Sequence, residues 1–386
     1  MSLRNILRNH FFTTLRRAAA TDDGRQAAAF ALRGLLQPSP RDFDPALLAE
    51  SAYTGLGSRA DGPETNKRSD IVMISARFRS GSTLTWNLFR NVPGMTSYYE
   101  PLNERRWFDP QTRGDRVDST HRKVADYWRE FEGLEDLGEL FQDEWSEQNF
   151  YLAENAWEPG LRTYLDALIE HAGGRPVLQF NRADFRLPWL RRNYPNAKLI
   201  HIYRHPRDQW CSMIGRPERF PKDGSMADFA AVDGFYVRRW ARDLKYQFPF
   251  LDERAVEHPY QLHYYLWKLS YVYGRAWCDL SLSFEELSTR PERALFQLFE
   301  VCEVGAEHIE SLLALITPPP FDKWKAYADE SWFQAHESHC ETVLADFFST
   351  SQPPISDAGA VGGAVGGAVG GANHHVVATA SQEAVS

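Results

Sequence analysis

Asp70-Ile-Val-Met-Ile-Ser-Ala-Arg-Phe-Arg-Ser-Gly-Ser-Thr-Leu-Thr-Trp-Asn-Leu-Phe-Arg90 is the stretch on which the reading of the whole chain turns. Ile71 to Ser75 is a short apolar run and predicts a buried strand. From Ser82 on, Leu84 and Leu88, with Trp86 and Phe89 beside them, fall at helical spacing. Between the two lies Arg79-Ser80-Gly81-Ser82-Thr83, a tight turn feeding a helix start. The first N–H groups of a helix have no partner within it and carry partial positive charge, so such a turn suits an anion. Gly81 lets the backbone approach that anion, Ser82 and Thr83 add hydroxyl donors, and Arg79 adds a charge. A phosphate cradle is the expectation. The G-x-x-x-x-G-K-[ST] pattern of Mg-nucleotide hydrolases is not present in the stretch, which disfavours an ordinary NTPase.

Working outward, the chain of 386 residues is 43% apolar and can bury one large α/β core or two smaller ones. No run approaches the roughly 18 apolar residues that cross a bilayer. The N-terminus lacks the apolar core and cleavage site of a secretory signal. Cys211, Cys278, Cys302 and Cys340 are far apart and form no C-x-x-C pair, which argues against a disulfide framework or structural zinc and suits a reducing, cytoplasmic setting. A net charge of −9 argues against non-specific nucleic-acid binding, so an anionic ligand needs a local basic cluster.

Three regions are expected: an N-terminal helical extension and linker over 1–67, a main domain over 68–350, and a low-complexity tail over 351–386. Leu3, Leu7, Phe11 and Leu15 repeat at helical steps among arginines, a pattern that packs on its own domain or touches a membrane surface through residues 1–19. The tail carries three Ala-Val-Gly-Gly repeats and is expected to be disordered. In the main domain, further strands are expected from Met95 to the Glu100-Pro101 step, at Pro176 to Phe180, at Lys198 to Tyr203 and at Leu280 to Phe284. Helices are expected over Leu161 to His171, over His263 to Trp277, and after Thr289-x-x-Glu292, a helix-start signature with Pro291 in the first turn. Residues 103–150 are expected as a helical insertion and 213–258 as a mobile lid. Strands alternating with helices, each strand ending in a polar loop, indicate a mainly parallel sheet with ligands at the strand C-termini.

Four features converge on that edge: the Arg79–Thr83 turn; Arg204 at a strand end with Ser212 eight residues on; Glu100 after the second strand; and Asn181-Arg182 after the third. Together they resemble the sulfotransferases that use 3′-phosphoadenosine-5′-phosphosulfate (PAPS), nearer the carbohydrate and tyrosylprotein type than the cytosolic small-molecule type. Arg79-Ser80-Gly81-Ser82-Thr83-Leu84 resembles the family's 5′-phosphosulfate loop, and Lys198 to Ser212 its 3′-phosphate motif, in which Arg204 and Ser212 would bind. Leu282-Ser-Phe-Glu-Glu-Leu-Ser-Thr-Arg-Pro291 and Phe321-Asp-Lys-Trp-Lys325 are similar to later segments of the family.

The resemblance implies a P-loop-NTPase-like three-layer α/β fold and sulfuryl transfer from PAPS to a hydroxyl or amine, without a metal. It implies Arg79 as the charge that stabilises the leaving phosphate and Glu100 as the base. A glutamate in a similar Glu-Pro setting takes that role in the carbohydrate branches. The cytosolic branch has a histidine after its third strand, where this chain has Asn181 and Arg182, which leaves those two as expected contacts to the sulfate or acceptor. His121 is expected mostly as a surface residue, a reserve base only. The acceptor is open among carbohydrate, protein tyrosine, lipid and small alcohol. Two other classes stand beside this one: a P-loop kinase or NTPase-like phosphotransferase, told apart by a need for Mg²⁺ and ATP, and a non-catalytic nucleotide-binding protein.

Overall fold

In the computed structural model residues 65–350 are described; the expected N-terminal helix and the Ala-Val-Gly-Gly tail lie outside the described residues. The opening strand, β1 (Val72–Ala76), is buried along its whole length, as a continuous apolar run in a parallel sheet must be. It leads through the Arg79–Gly81 turn into α1 (Ser82–Arg90). There follow β2 (Met95–Tyr99), α2 (Pro159–His171), β3 (Arg175–Phe180), α3 (Leu187–Asn193), β4 (Lys198–Tyr203) and α4 (Pro206–Ile214). The chain continues with α5 (Val237–Leu244), α6 (Pro259–Trp277), β5 (Leu280–Ser283), α7 (Phe284–Thr289), α8 (Pro291–Cys302) and α9 (Glu330–Thr350).

The five strands are parallel, in the order β2-β3-β1-β4-β5. Ile74 of β1 faces Gln179 of β3 on one side and Ile200 of β4 on the other. The chain builds outward from β1 first toward β2 and β3, then toward β4 and β5. The loop after β1 therefore opens at the point where the order reverses, which is where open α/β sheets bind ligands.

Side chains alternate along β1, so the sheet has a core on each face. Ile71 and Met73 join Tyr98, Leu178 and Leu199 under Tyr164, Leu165 and Leu168 of α2. Val72, Ile74 and Ala76 join Val177, Ile200 and Ile202 under Leu88 and Phe89 of α1 and Leu295, Leu298 and Phe299 of α8. This is the three-layer α/β arrangement expected.

Three expectations need adjustment. The start signature Thr289-x-x-Glu292 does not cap α8: Thr289 ends α7 and gives its hydroxyl to Glu285 O, while α8 starts at Pro291 with no side-chain cap. The cap in use is Ser283, which accepts from the Glu286 N–H at 3.0 Å at the start of α7. The same serine/threonine-to-glutamate spacing occurs at both places, and only the end of β5 leaves the backbone extended for it. Second, the insertion over 103–150 holds only single helical turns, at Arg129–Phe131, Glu135–Glu139 and Glu144–Glu147, and is otherwise loop. It is anchored because Trp107, Phe108, Tyr127, Phe131 and Trp145 enter the first core. Third, the segment over 213–258 is packed onto the rest of the domain: Phe229, Trp240, Leu244 and Phe248 are buried, Trp240 stacks on Phe150 at 4.3 Å, and Phe248 meets Phe185.

Candidate active site

The turn after β1 ends at Gly81, which has φ +96°, a left-handed conformation that favours glycine. A Cβ there would lie 2.3 Å from Cδ2 of Phe284, so packing requires glycine as firmly as the backbone does. No side chain caps α1, and its first-turn N–H groups are left to a ligand or solvent. Ser80 sits beneath the turn and donates its hydroxyl to Arg77 O at 2.6 Å; it closes the turn and does not line the cleft. Gly81, Ser82, Thr83 and Leu84 do line it, together with Arg79.

That cleft has a volume of about 780 Å³, ample for a nucleotide-sized ligand. Its second cationic post is Arg204, delivered by the end of β4 and only 5% exposed. Arg204 lies over the Phe284 ring at 5.2 Å and gives one N–H to Arg79 O at 3.3 Å. Its Nε and second terminal nitrogen are buried with no partner. Ser212, two turns into α4, accepts from Arg79 Nε at 3.0 Å, so both halves of the expected phosphate site meet in one place. Lys323 also lines the cleft, and Asp208 of α4 fixes its segment by accepting from the Asp322 and Lys323 N–H groups at 3.0 and 2.8 Å.

Glu100 lies where β2 runs out, 6% exposed, on the cleft wall. Burial raises its carboxyl above the usual carboxylate range, against the pull of Arg182 and of Asn103, whose side chain donates to it at 2.5 Å. Both Arg79 (φ 64°) and Glu100 (φ 41°) are left-handed non-glycine residues. Such strained backbone costs of order 1–3 kcal/mol and gathers at functional sites.

Asn181 and Arg182 do not line the cleft. Arg182 is 1% exposed and pairs with Glu104, with Ser146 O at 3.1 Å and with the Asn181 side chain at 2.9 Å. It acts on Glu100 through its charge.

His121, expected at the surface, instead reaches into the cleft: Nε2 lies 3.2 Å from Thr83 Oγ1, and Nδ1 meets the Tyr127 hydroxyl. Burial holds its imidazole down at about 4, with Asp118 opposing and Arg79 reinforcing the shift. The same loop brings Thr120 to Arg79 at 3.2 Å and Asp118 to within 3.8 Å of it. Sequence reasoning missed this wall, and also Phe284. The insertion carries no local pattern that marks which of its residues turn inward. Among the described residues no group of three or more His, Cys, Asp or Glu side chains is placed to hold a metal ion.

Fold and site together define a parallel α/β protein with a glycine turn and an uncapped helix start after its first strand and a buried, partly unpaired guanidinium one strand away. The chain belongs to the Sulfotransferase family, whose model matches residues 71–307, more than half of its length. No curated protein matches it. Among solved structures it is similar to the sulfotransferase STF9 from Mycobacterium avium, at 12% identity over 76% of this chain and 80% of that one, with a TM-score of 0.38. It is similar to the sulfotransferase domain of the Synechococcus olefin synthase, at 16% identity over 75% and 98%, with a TM-score of 0.35. A third similar structure is retinol dehydratase in complex with androsterone and the inactive cofactor PAP, at 14% identity over 73% and 82%, with a TM-score of 0.32.

Proposed function

We propose that this protein transfers the sulfuryl group of PAPS to a hydroxyl or amine of an acceptor and releases the 3′,5′-bisphosphate. The observation that carries the reading is Arg204: a buried guanidinium with two unpaired N–H donors, on a cleft shared with an uncapped helix N-terminus. Burying such donors unpaired costs about 1–3 kcal/mol each, a cost that an anion in the cleft removes. The residues therefore fit a doubly phosphorylated nucleotide. Gly81 to Leu84 and Arg79 would hold the 5′-phosphosulfate, with Ser80 supporting the turn from below. Arg204 and Ser212 would hold the 3′-phosphate.

When bound, PAPS supplies an activated sulfuryl group on a phosphate leaving group. Glu100 accepts the acceptor's proton as the acceptor's oxygen or nitrogen bonds to sulfur. The sulfur–oxygen bond to the 5′-phosphate breaks, and its electron pair stays on the phosphate oxygen. The Arg79 guanidinium, together with the N–H groups of α1, stabilises that developing charge. The raised pKa of Glu100 suits a base working near neutral pH, since it pulls the proton more strongly than an ordinary carboxylate. Positioning and electrostatics are expected to supply most of the acceleration, as in phosphoryl transfer.

The test is a thermal-shift titration with the 3′,5′-bisphosphate in the absence of Mg²⁺, set against ATP and AMP. A ligand at about a hundred times its Kd adds roughly 2.7 kcal/mol of stability. Selective stabilisation by the bisphosphate supports the reading. A shift seen only with Mg-ATP overturns it in favour of a phosphotransferase.

A further inference from the structure

The cleft carries more positive charge than the donor site accounts for. Six cationic side chains line it, Arg79, Arg105, Arg116, Arg122, Arg204 and Lys323, against two acids, Glu100 and Asp118. This stands out in a chain of net charge −9. Arg79 and Arg204 belong to the cradle, and Lys323 is tied through Asp208 to the helix that bears Ser212. The other three come from the insertion.

Arg105 hangs from the Glu100 turn: its N–H bonds to Asn103 Oδ1 at 2.9 Å, and Asn103 in turn donates to Glu100. Arg116 and Arg122 bracket the stretch whose Thr120 and His121 touch Arg79 and Thr83. None of the three has a carboxylate partner among the described residues, although most other arginines of the insertion do, as Arg106 with Asp143 and Arg129 with Glu130 show. Unpaired guanidinium groups beside a reacting hydroxyl present planar, forked donors to carboxylate, sulfate or phosphate oxygens.

We propose that the acceptor is an organic anion, a molecule that carries a carboxylate, sulfate or phosphate held by Arg105, Arg116 and Arg122 while its hydroxyl or amine meets Glu100. The inference rests on the sulfuryl-transfer reading and names the class of substrate within it. The cationic wall raises the local concentration of anions and orients them, and its effect weakens with salt.

The experiment is calorimetric titration of the full chain saturated with the 3′,5′-bisphosphate, using matched probes. These are glucuronate against glucose, and 4-hydroxyphenylacetate against its neutral amide. At least one anion is expected to bind about tenfold more tightly than its twin. That preference should disappear in the R105A/R116A/R122A variant, while the bisphosphate Kd stays within about threefold. The three arginines are exposed, so the variant is expected to fold, and its melting curve checks this. Equal affinity of the twins, or no binding of either anion, overturns the inference. So does a bisphosphate affinity that drops about tenfold in the variant, because the arginines would then serve the donor. Failure of the wild-type chain to bind the bisphosphate at all sinks the sulfuryl-transfer reading, and this inference with it. Bisphosphate binding without a preference for anions sinks this inference alone.

Discussion

Replacing Arg204 with methionine should make the ligand-free protein more stable and weaken its binding of the 3′,5′-bisphosphate. Two buried donors of Arg204 have no partner, and each costs about 1–3 kcal/mol in desolvation, a total of about 2–6 kcal/mol. Against this the variant loses the 3.3 Å bond to Arg79 O, worth about 0.5–1.5 kcal/mol. It also loses the cation–π contact with Phe284, worth about 0.5–2 kcal/mol. Asp208 and Glu285 favour the charge through space, which trims the gain further. Methionine keeps most of the packing volume, so the net expectation is a stabilisation of about 1 kcal/mol, or roughly 1–2 °C in Tm for a chain of this size. Binding moves the other way. Two charge-assisted hydrogen bonds to a phosphate are worth about 1.5–3 kcal/mol each, so the bisphosphate Kd should rise by about 10²–10⁴-fold. Denaturant titration of the ligand-free chain and calorimetry with the bisphosphate read the two effects separately. A variant destabilised by about 2 kcal/mol whose affinity stays within about threefold would show that Arg204 is a structural residue, and the reasoning would fail.

Glu100→Gln should lower turnover by about 10²–10⁴-fold, the usual contribution of a general base, with bisphosphate affinity unchanged. Because burial raises the Glu100 pKa, its ionisation costs the fold stability at neutral pH, so E100Q should melt at the wild-type temperature or above; a lower Tm with normal turnover would remove Glu100 from the mechanism. The wild-type rate should fall on the acid side at a pH above the ordinary carboxylate range, and a pH–rate profile checks this. Gly81→Ala should destabilise by about 2–5 kcal/mol, from the left-handed backbone and the collision with Phe284. In a double-mutant cycle with F284A the collision part should vanish and the backbone part remain. His201, His258 and His263 are buried and held down at about 3. Below about pH 6.5 the unfolded chain takes up protons that the folded one refuses, so each should remove about 1.4 kcal/mol per pH unit as pH falls toward 3. Glu100 and Asp184, whose carboxyls are raised by burial, work in the opposite sense, and substituting His201 or His263 by an apolar residue of similar size should flatten the acid limb of a stability–pH curve.

Much of the fold was legible because parallel strands and amphipathic helices write their spacing into short windows. β4 has the expected bounds of Lys198 to Tyr203, β1 is displaced by a single residue, and β3 starts one residue earlier than expected. The turn at Gly81 and the helix start after it were legible for the same reason: a glycine between an apolar run and a helical repeat allows few other conformations. The helix start at Thr289 was misplaced because two such spacings lie six residues apart, and the choice depends on where β5 lets go of the sheet.

Local spacing fixes the frame: the Arg79–Leu84 turn, the strand that presents Arg204, the helix that presents Ser212, and the chain order in which they come. These depend on backbone conformation and neighbouring residues. Which polar groups are left without partners is settled by packing between distant segments. Arg182 is absorbed by Glu104 and Ser146, while Arg204 keeps two free donors; nothing in the composition around either residue separates them. Likewise His121 and Arg105, 21 and 5 residues beyond Glu100, come to the same cleft only because Trp107 and Tyr127 pull the insertion into the core. Spacing along a chain encodes pitch and pleat, whereas desolvation and pairing depend on every element that closes around a group, and those are set only when the chain has folded.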